Sequence, residues 1–194
     1  MALAQREKSN SIMQFIPTSI PDVVIIEPKV WADSRGYFFE SYRHDLFQQH
    51  IGSVDWVQDN ESFSTYGTLR GLHYQLPPHA QSKLVRVIQG KVLDVAVDIR
   101  QSSATFGQYV AVELSSDNKR QLLIPRGFAH GFVVLSETAV FAYKVDNYYN
   151  KACDRGIAFN DPSIAIDWQI DLTQALLSDK DSKQPLLKDA QVFE

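Results

Sequence analysis

An all-β domain, two sheets closed into a jelly-roll barrel, is the fold class that this sequence predicts, and three observations predict it. Apolar residues recur at every second position in several short runs. Turn residues separate these runs at regular intervals, and helical periodicity is confined to one segment near each end. Short strands without intervening helices close into a sandwich or barrel rather than βαβ units. A double-sheet jelly roll encloses a central cavity walled by alternate, inward-facing residues.

The elements follow in order. Met1–Gln14 is polar and has no apolar stretch of the signal-peptide kind, so it is expected to be an arm, disordered or vector-derived. Residues 15–194 then form a single domain, with no repeat or Pro/Gly/Ser linker to divide it. Val23–Ile26, bounded by Pro21 and Pro28, reads as the first strand. Asp33-Ser34-Arg35-Gly36 is a turn cluster, and the aromatic run Tyr37–Tyr42 follows it. Arg43–Ile51 carries helical signal. Arg70–Leu76 is strand-like. Leu93, Val95, Val97 and Ile99 alternate with Asp94, Ala96 and Asp98, the period of a half-buried strand. Val110, Val112 and Leu114 alternate likewise, and Leu122–Ile124, Gly131–Leu135 and Val140–Val145 supply three more strands. Leu172–Ser178 is the second helical segment.

Composition narrows the function. A chain of 194 residues is most simply one domain, large enough to bury roughly 70% of its unfolded surface. A net charge of −4 with no clustered basic face argues against nucleic acid, although a local positive site for a small anion remains compatible with it. Cys153 is the lone cysteine, so no intrachain disulfide calls for an oxidising compartment. No apolar run approaches the ~20 residues that span a bilayer. A cytoplasmic protein without a membrane partner is expected.

Chemistry concentrates around Arg70-Gly71-Leu72-His73-Tyr74-Gln75-Leu76, with Lys83 beyond the next turn. By strand alternation Gly71, His73 and Gln75 share one face, and Leu72 and Tyr74 the other. A histidine satisfied within a strand is the plain reading of His73. Arg70 and Lys83 favour another, because both are costly to bury without an anion. His73 then reads as a general base working near neutral pH.

Metal binding is the rival. Pro125-x-Gly127-x-x-His130 is similar to the second motif of metal-binding cupin barrels. Their first motif needs His-x-His, where this chain has His73-Tyr74-Gln75. Gln75 replaces a strong ligand and Lys83 places a cation nearby. His44 and His50 fall in the helical segment, and His79 follows Pro77-Pro78 in a loop. Two usable histidines make a poor divalent site, so no catalytic metal is expected. Tyr143 is either a packed barrel tyrosine or a proton donor made more acidic by a nearby cation. Ser178-Asp179-Lys180-Asp181 is either a solvated helix end or the source of a carboxylate that orients a histidine.

Several multi-residue motifs occur together and in order. They are Asp33–Glu40, Gln58-Asp59-Asn60, Leu69–Gln75, Lys83–Arg86, Asp94–Arg100, Pro125–Phe132 and Tyr143. Over roughly Ile20 to Leu187 the chain resembles the dTDP-4-dehydrorhamnose 3,5-epimerases, a cupin-like family of dTDP-sugar epimerases. The resemblance implies a cupin-like double-stranded β-helix, a homodimer, and no metal or nicotinamide cofactor. It implies a dTDP-4-keto-6-deoxy-sugar substrate inverted at C3 and C5, the carbons that flank the ketone. It assigns His73 as base, Asp181 as its partner, Tyr143 as acid and Lys83 as stabiliser of the enolate oxygen. Arg35, Glu40, Gln58, Asn60, Arg70, His130, Asp154 and Lys180 would bind the nucleotide sugar. Tyr37 and Tyr74 stand where phenylalanine is frequent, and neither change removes a reacting group. Single-centre epimerases and 3,4-ketoisomerases share the cavity. A non-catalytic sugar-nucleotide module would need no acid opposite its base, so His73, Tyr143 and Lys83 together speak for catalysis.

Overall fold

In the computed structural model, which describes residues 12–194, the regular structure is almost wholly antiparallel strand. The first five are β1 (Met13–Pro17), β2 (Val24–Pro28), β3 (Trp31–Asp33), β4 (Gly36–Phe38) and β5 (Gln58–Thr65). Next come β6 (Leu69–Gln75), β7 (Lys83–Gln89), β8 (Lys91–Asp98) and β9 (Tyr109–Ser115). The last are β10 (Gln121–Ile124), β11 (Phe128–Val134), β12 (Thr138–Val145) and β13 (Asp154–Gly156). One sheet has the order β1-β2-β10-β7-β12-β5, and the other β13-β6-β11-β8-β9. β3 and β4 form a separate hairpin. Among the described residues a single α-helix, α1 (His44–His50), matches the expected first helical segment to within a residue at each end. Among the described residues no helix is long and apolar enough to cross a membrane.

Three apolar clusters explain the layering. The first joins the two sheets through residues such as Val85, Val87, Ala96, Phe132 and Phe141. The second covers the outer face of the five-stranded sheet with the C-terminal segment, around Leu72, Tyr74, Val95, Val97 and Trp168. The third packs α1 on the other sheet through Met13, Ile26, Phe47, Leu84 and Leu123.

β8 corrects one expectation. It is buried on both faces, not half-buried, because Val92 and Ala96 face the opposite sheet while Leu93, Val95, Val97 and Ile99 join the outer cluster. Its aspartates are therefore interior: Asp94 and Asp98 are both 0% exposed. Asp98 is satisfied by Arg100, Ser103 and Thr105 at 2.6–2.9 Å.

Other boundaries differ. The expected arm overlaps β1, since Met13 pairs with Pro28 and is 2% exposed; the rest of that stretch, residues 1–11, lies outside the described residues. Of the aromatic run Tyr37–Tyr42, only Tyr37 and Phe38 belong to a strand, β4. The helix expected over Leu172–Ser178 is a single 3-10 turn, Leu172–Gln174, because the chain beyond it turns to pair with β6. There Leu176 exchanges main-chain hydrogen bonds with Gly67 and Leu69 at 2.9 and 3.0 Å.

The feature that positions the site is a bulge in β6. Across the ladder to β11, His130 faces His73 and Phe132 faces Arg70, so two steps on β11 match three on β6. Alternation had set Gly71 on the face of His73; the bulge brings Arg70 there instead. Glycines permit it. Gly71 has φ +136, and a Cβ on it would lie 2.5 Å from the Gly131 Cα. A Cβ on Gly131 would lie 2.7 Å from the Arg70 carbonyl oxygen. Gly131→Ala forces these backbones apart and should lower the unfolding free energy by about 2–3 kcal/mol. Urea denaturation checks this, and an unchanged midpoint would contradict the close approach.

Candidate active site

Between the sheets lies a cavity of about 620 Å³, within the range for a sizeable small-molecule ligand. β6 and β11 form one wall, and β5, β7 and β12 the opposite one. The segment Leu176–Asp181 closes a third side. β5 escaped the sequence reading because its cavity-facing positions, Asn60, Ser62 and Ser64, are polar and give no apolar alternation. β7 also went unassigned, although Lys83, Val85 and Val87 alternate along it.

The cavity gathers His73, Lys83, Tyr143, Asp181, Arg70, Asn60, His130 and Lys180. Gln58 and Asp154 line an adjoining cavity of about 380 Å³ that shares His73, Lys83 and Tyr143 with the first. Arg35 and Glu40 are the exceptions. Arg35 sits at the β3–β4 turn with its side chain 88% exposed, bonded to Asp33. Glu40 lies beside Arg43 at 3.6 Å. Neither lines the wall of either cavity.

His73 Nε2 is hydrogen-bonded to Asp181 Oδ1. An ionised carboxylate only accepts, so Nε2 carries the proton and the other ring nitrogen stays basic. Asp181 is 4% exposed and sits in a 3-10 turn, with Ser178 Oγ donating to its second oxygen at 2.9 Å. It is not a solvated helix end. Burial alone would push the Asp181 carboxyl up, but the bond from His73, aided by Ser178 and Lys180, holds it below the usual carboxylate range.

Tyr143 faces the cavity from β12, aligned with Asn60 on β5 and Val85 on β7. Burial raises its phenol and the Arg70 charge offsets this only in part, so it is protonated at neutral pH. The acidifying cation considered from sequence is present, and it is outweighed. Arg70 is itself aimed by Ser64, whose hydroxyl accepts from Nε at 3.1 Å.

Asp94 is a site residue that sequence reasoning did not single out. Its carboxylate oxygens lie 3.0 and 3.1 Å from His130 Nε2. Burial pushes the Asp94 carboxyl up, and His130 and Lys83 pull it back. Burial likewise lowers the His130 imidazole, which is then neutral and donates from Nε2. Lys83 is brought down to about 8 by burial, despite the support of Asp94 and Asp154. The available signal was a charged residue at an alternate position of an otherwise apolar strand, which a closed sandwich forces inward. Asp154 is paired with Lys180 and accepts from the Tyr149 hydroxyl at 3.2 Å. Gln75 turns its amide to main-chain groups, and among the described residues no three His, Cys, Asp or Glu converge as a ligand set.

Comparisons with known proteins agree on one family. The family model described as dTDP-4-dehydrorhamnose 3,5-epimerase matches residues 17–189. The dTDP-4-dehydrorhamnose 3,5-epimerase of Shigella flexneri is 56% identical over 182 residues, covering 93% of this chain and 99% of its own length. The crystal structure of the Elizabethkingia anophelis NUHP1 enzyme of that name superposes with a TM-score of 0.89 at 52% identity, over 92% of this chain and 98% of that one. An epimerase from Legionella pneumophila Philadelphia 1, solved with dTDP-4-keto-L-rhamnose, has a TM-score of 0.88 at 50% identity, over 91% and 94% of the two chains.

The environment of Lys83 is testable in the free protein. NMR of labelled lysine side chains should show it titrating near 8, not at the usual 10.5. Asp94→Asn removes a supporting anion and should move the midpoint lower still. A midpoint near 10.5 in the wild type, or one that rises in the variant, would contradict this arrangement.

Proposed function

The chain belongs to the dTDP-4-dehydrorhamnose 3,5-epimerase family, and we propose that it works with His73 as base and Tyr143 as acid. The reaction converts dTDP-4-dehydro-6-deoxy-D-glucose to dTDP-4-dehydro-L-rhamnose by inverting C3 and C5. The C4 ketone acidifies hydrogens on both neighbours, because the electrons left behind delocalise to an enolate oxygen. One set of groups therefore serves both centres. Inversion needs a proton removed from one face of the sugar and another supplied to the opposite face.

The observation that carries this reading is the placement of His73 on β6 of one sheet and Tyr143 on β12 of the other, facing across one cavity. Asp181 holds the His73 ring in one tautomer and offsets the imidazolium charge after proton abstraction. Lys83, a half-buried cation, compensates the enolate oxygen as charge develops there. Tyr143, protonated at neutral pH, returns a proton from the other side. Arg70, Asn60, His130 and Lys180, with Gln58 and Asp154 in the adjoining space, bind the nucleotide sugar, Arg70 through its fork of donors to phosphate oxygens.

No metal or nicotinamide enters this scheme. Gln75, which stands where a cupin ligand would be, spends its amide on the backbone and is not free to act as one. Lys83 supplies the positive charge that a metal would otherwise bring to the ketone oxygen. The same reading places the enzyme in the cytoplasm, where a lone half-buried Cys153 is at home.

A homodimer supplies what one chain lacks. The β3–β4 hairpin exposes Trp31, Tyr37 and Phe38 at 40–66%, a large apolar surface for a free hairpin. Docked on a second copy, it would cover these rings and bring Arg35 and Glu40 toward the neighbour's cavity.

Proton NMR of dTDP-4-keto-6-deoxyglucose should show conversion to the L-configured product at an unchanged rate after exhaustive chelation. Activity lost on chelation and restored by one divalent ion would overturn the metal-free scheme. Mixed dimers of Arg35→Ala and His73→Ala chains should recover about half of the wild-type activity, since one site then has both groups. Recovery no greater than the sum of the separate mutants would contradict a shared site.

A further inference from the structure

We infer that Gln75 is a positioning residue: it sets the loop that carries Tyr149 at the cavity entrance, and so controls substrate affinity without touching the reacting atoms. The inference rests on the function proposed above and adds a residue to it.

Gln75 lies two residues beyond His73 at the end of β6, where its backbone pairs with Asp154 of β13. It is 4% exposed, so its amide must find partners inside the protein. Nε2 donates to the His79 carbonyl at 2.7 Å and to the Tyr148 carbonyl at 3.2 Å. Oε1 accepts from the Asn150 N–H at 2.6 Å. Both donor hydrogens and the acceptor are therefore engaged, each with the main chain of a loop. Tyr148 and Asn150 bracket Tyr149, so a single side chain grips the backbone on both sides of that residue.

Other contacts fasten the base of the same two loops. Gln81 Nε2 donates to the Asn147 carbonyl at 2.6 Å, and the Ser82 N–H to Asp146 Oδ1 at 2.6 Å. Asn150 Nδ2 meets His79 Nε2 at 3.0 Å. Gln75 adds the grip at the crest. Tyr149 is 60% exposed and lines the adjoining cavity with Gln58, Lys83 and Lys180. A ring that exposed has little packing to hold it, so its position depends on its backbone and on the bond to Asp154. Releasing the backbone leaves the ordering cost to be met when substrate binds, which weakens binding and leaves the chemical step unaltered.

The chemistry of the residue fits the task. A histidine at this position, as in metal-binding cupins, has one donor and one acceptor when neutral, and cannot make three such bonds. Glutamate has the shape of glutamine without its donors, and would set an anion against two carbonyls.

Gln75→Glu and Gln75→Met in the full chain test this. KM for dTDP-4-keto-6-deoxyglucose and the Kd for dTDP should both rise about tenfold, with kcat within about twofold of wild type. Tyr149→Ala should add little to Gln75→Met, because both changes remove one element. A folded Gln75→Glu with unchanged KM, a fall in kcat at constant KM, or full additivity with Tyr149→Ala would each overturn the inference. If Gln75→Met does not fold, Gln75→Glu decides it. Wild-type protein that fails to convert the sugar would overturn the proposed function itself; normal wild-type turnover with unaffected Gln75 variants overturns only the role of Gln75.

Discussion

The close approach of Gly71 and Gly131 is the constraint on which the site depends. Two backbones that a single Cβ would separate instead touch, and the register between β6 and β11 slips by one residue at that point. Without the slip, Arg70 and His73, three positions apart, would face opposite sides of the sheet. With it, both enter one cavity, and His73 stands directly across the ladder from His130. A local packing fact thus decides which charges the interior must accommodate.

That interior is unusually polar for the space between two sheets, and its charges come with counter-charges. Asp94 faces His130 and supports Lys83, Asp181 holds His73, and Asp154 holds Lys180. Left unpaired, the buried members of this set, Asp94, His130 and Asp181, would be costly. Grouped as they are, they leave Lys83 charged but readily perturbed, and Tyr143 protonated. The same pairing accounts for the proposed division of labour. Asp94 and Asp181 are tied to the histidines and Asp154 to Lys180, so imidazoles, a phenol and cations predominate on the cavity walls, as the proposed function requires.

How far the sequence could be read follows from the same physics. Where one face of a strand is apolar, as along β9, alternation finds it. β5 defeats that test because it faces a polar cavity, and β8 misleads it because a C-terminal layer covers its outer face. His73, Arg70 and Lys83 were legible as clustered chemistry, although alternation misjudged which of the β6 residues share a face. Asp181 lies 108 residues from His73, a distance that no local pattern bridges, so the residues alone leave the Ser178–Asp181 segment open and the family resemblance singles out Asp181. Asp94 was in view and was read as the solvent-facing half of a strand. The roles proposed for Arg35 and Glu40 are illegible in a single chain, since neither residue lines the wall of either cavity.

Separate base and acid on opposite sheets is the central claim, and deuterium exchange followed by NMR tests it most directly. In deuterated water, Tyr143→Phe keeps the base and the packing of the ring and removes the donor. The account predicts deuterium appearing at C3 and C5 of unchanged substrate, while inversion slows by roughly two to four orders of magnitude. His73→Ala should abolish exchange and inversion together. Inversion of both centres by Tyr143→Phe at the wild-type rate would contradict the account.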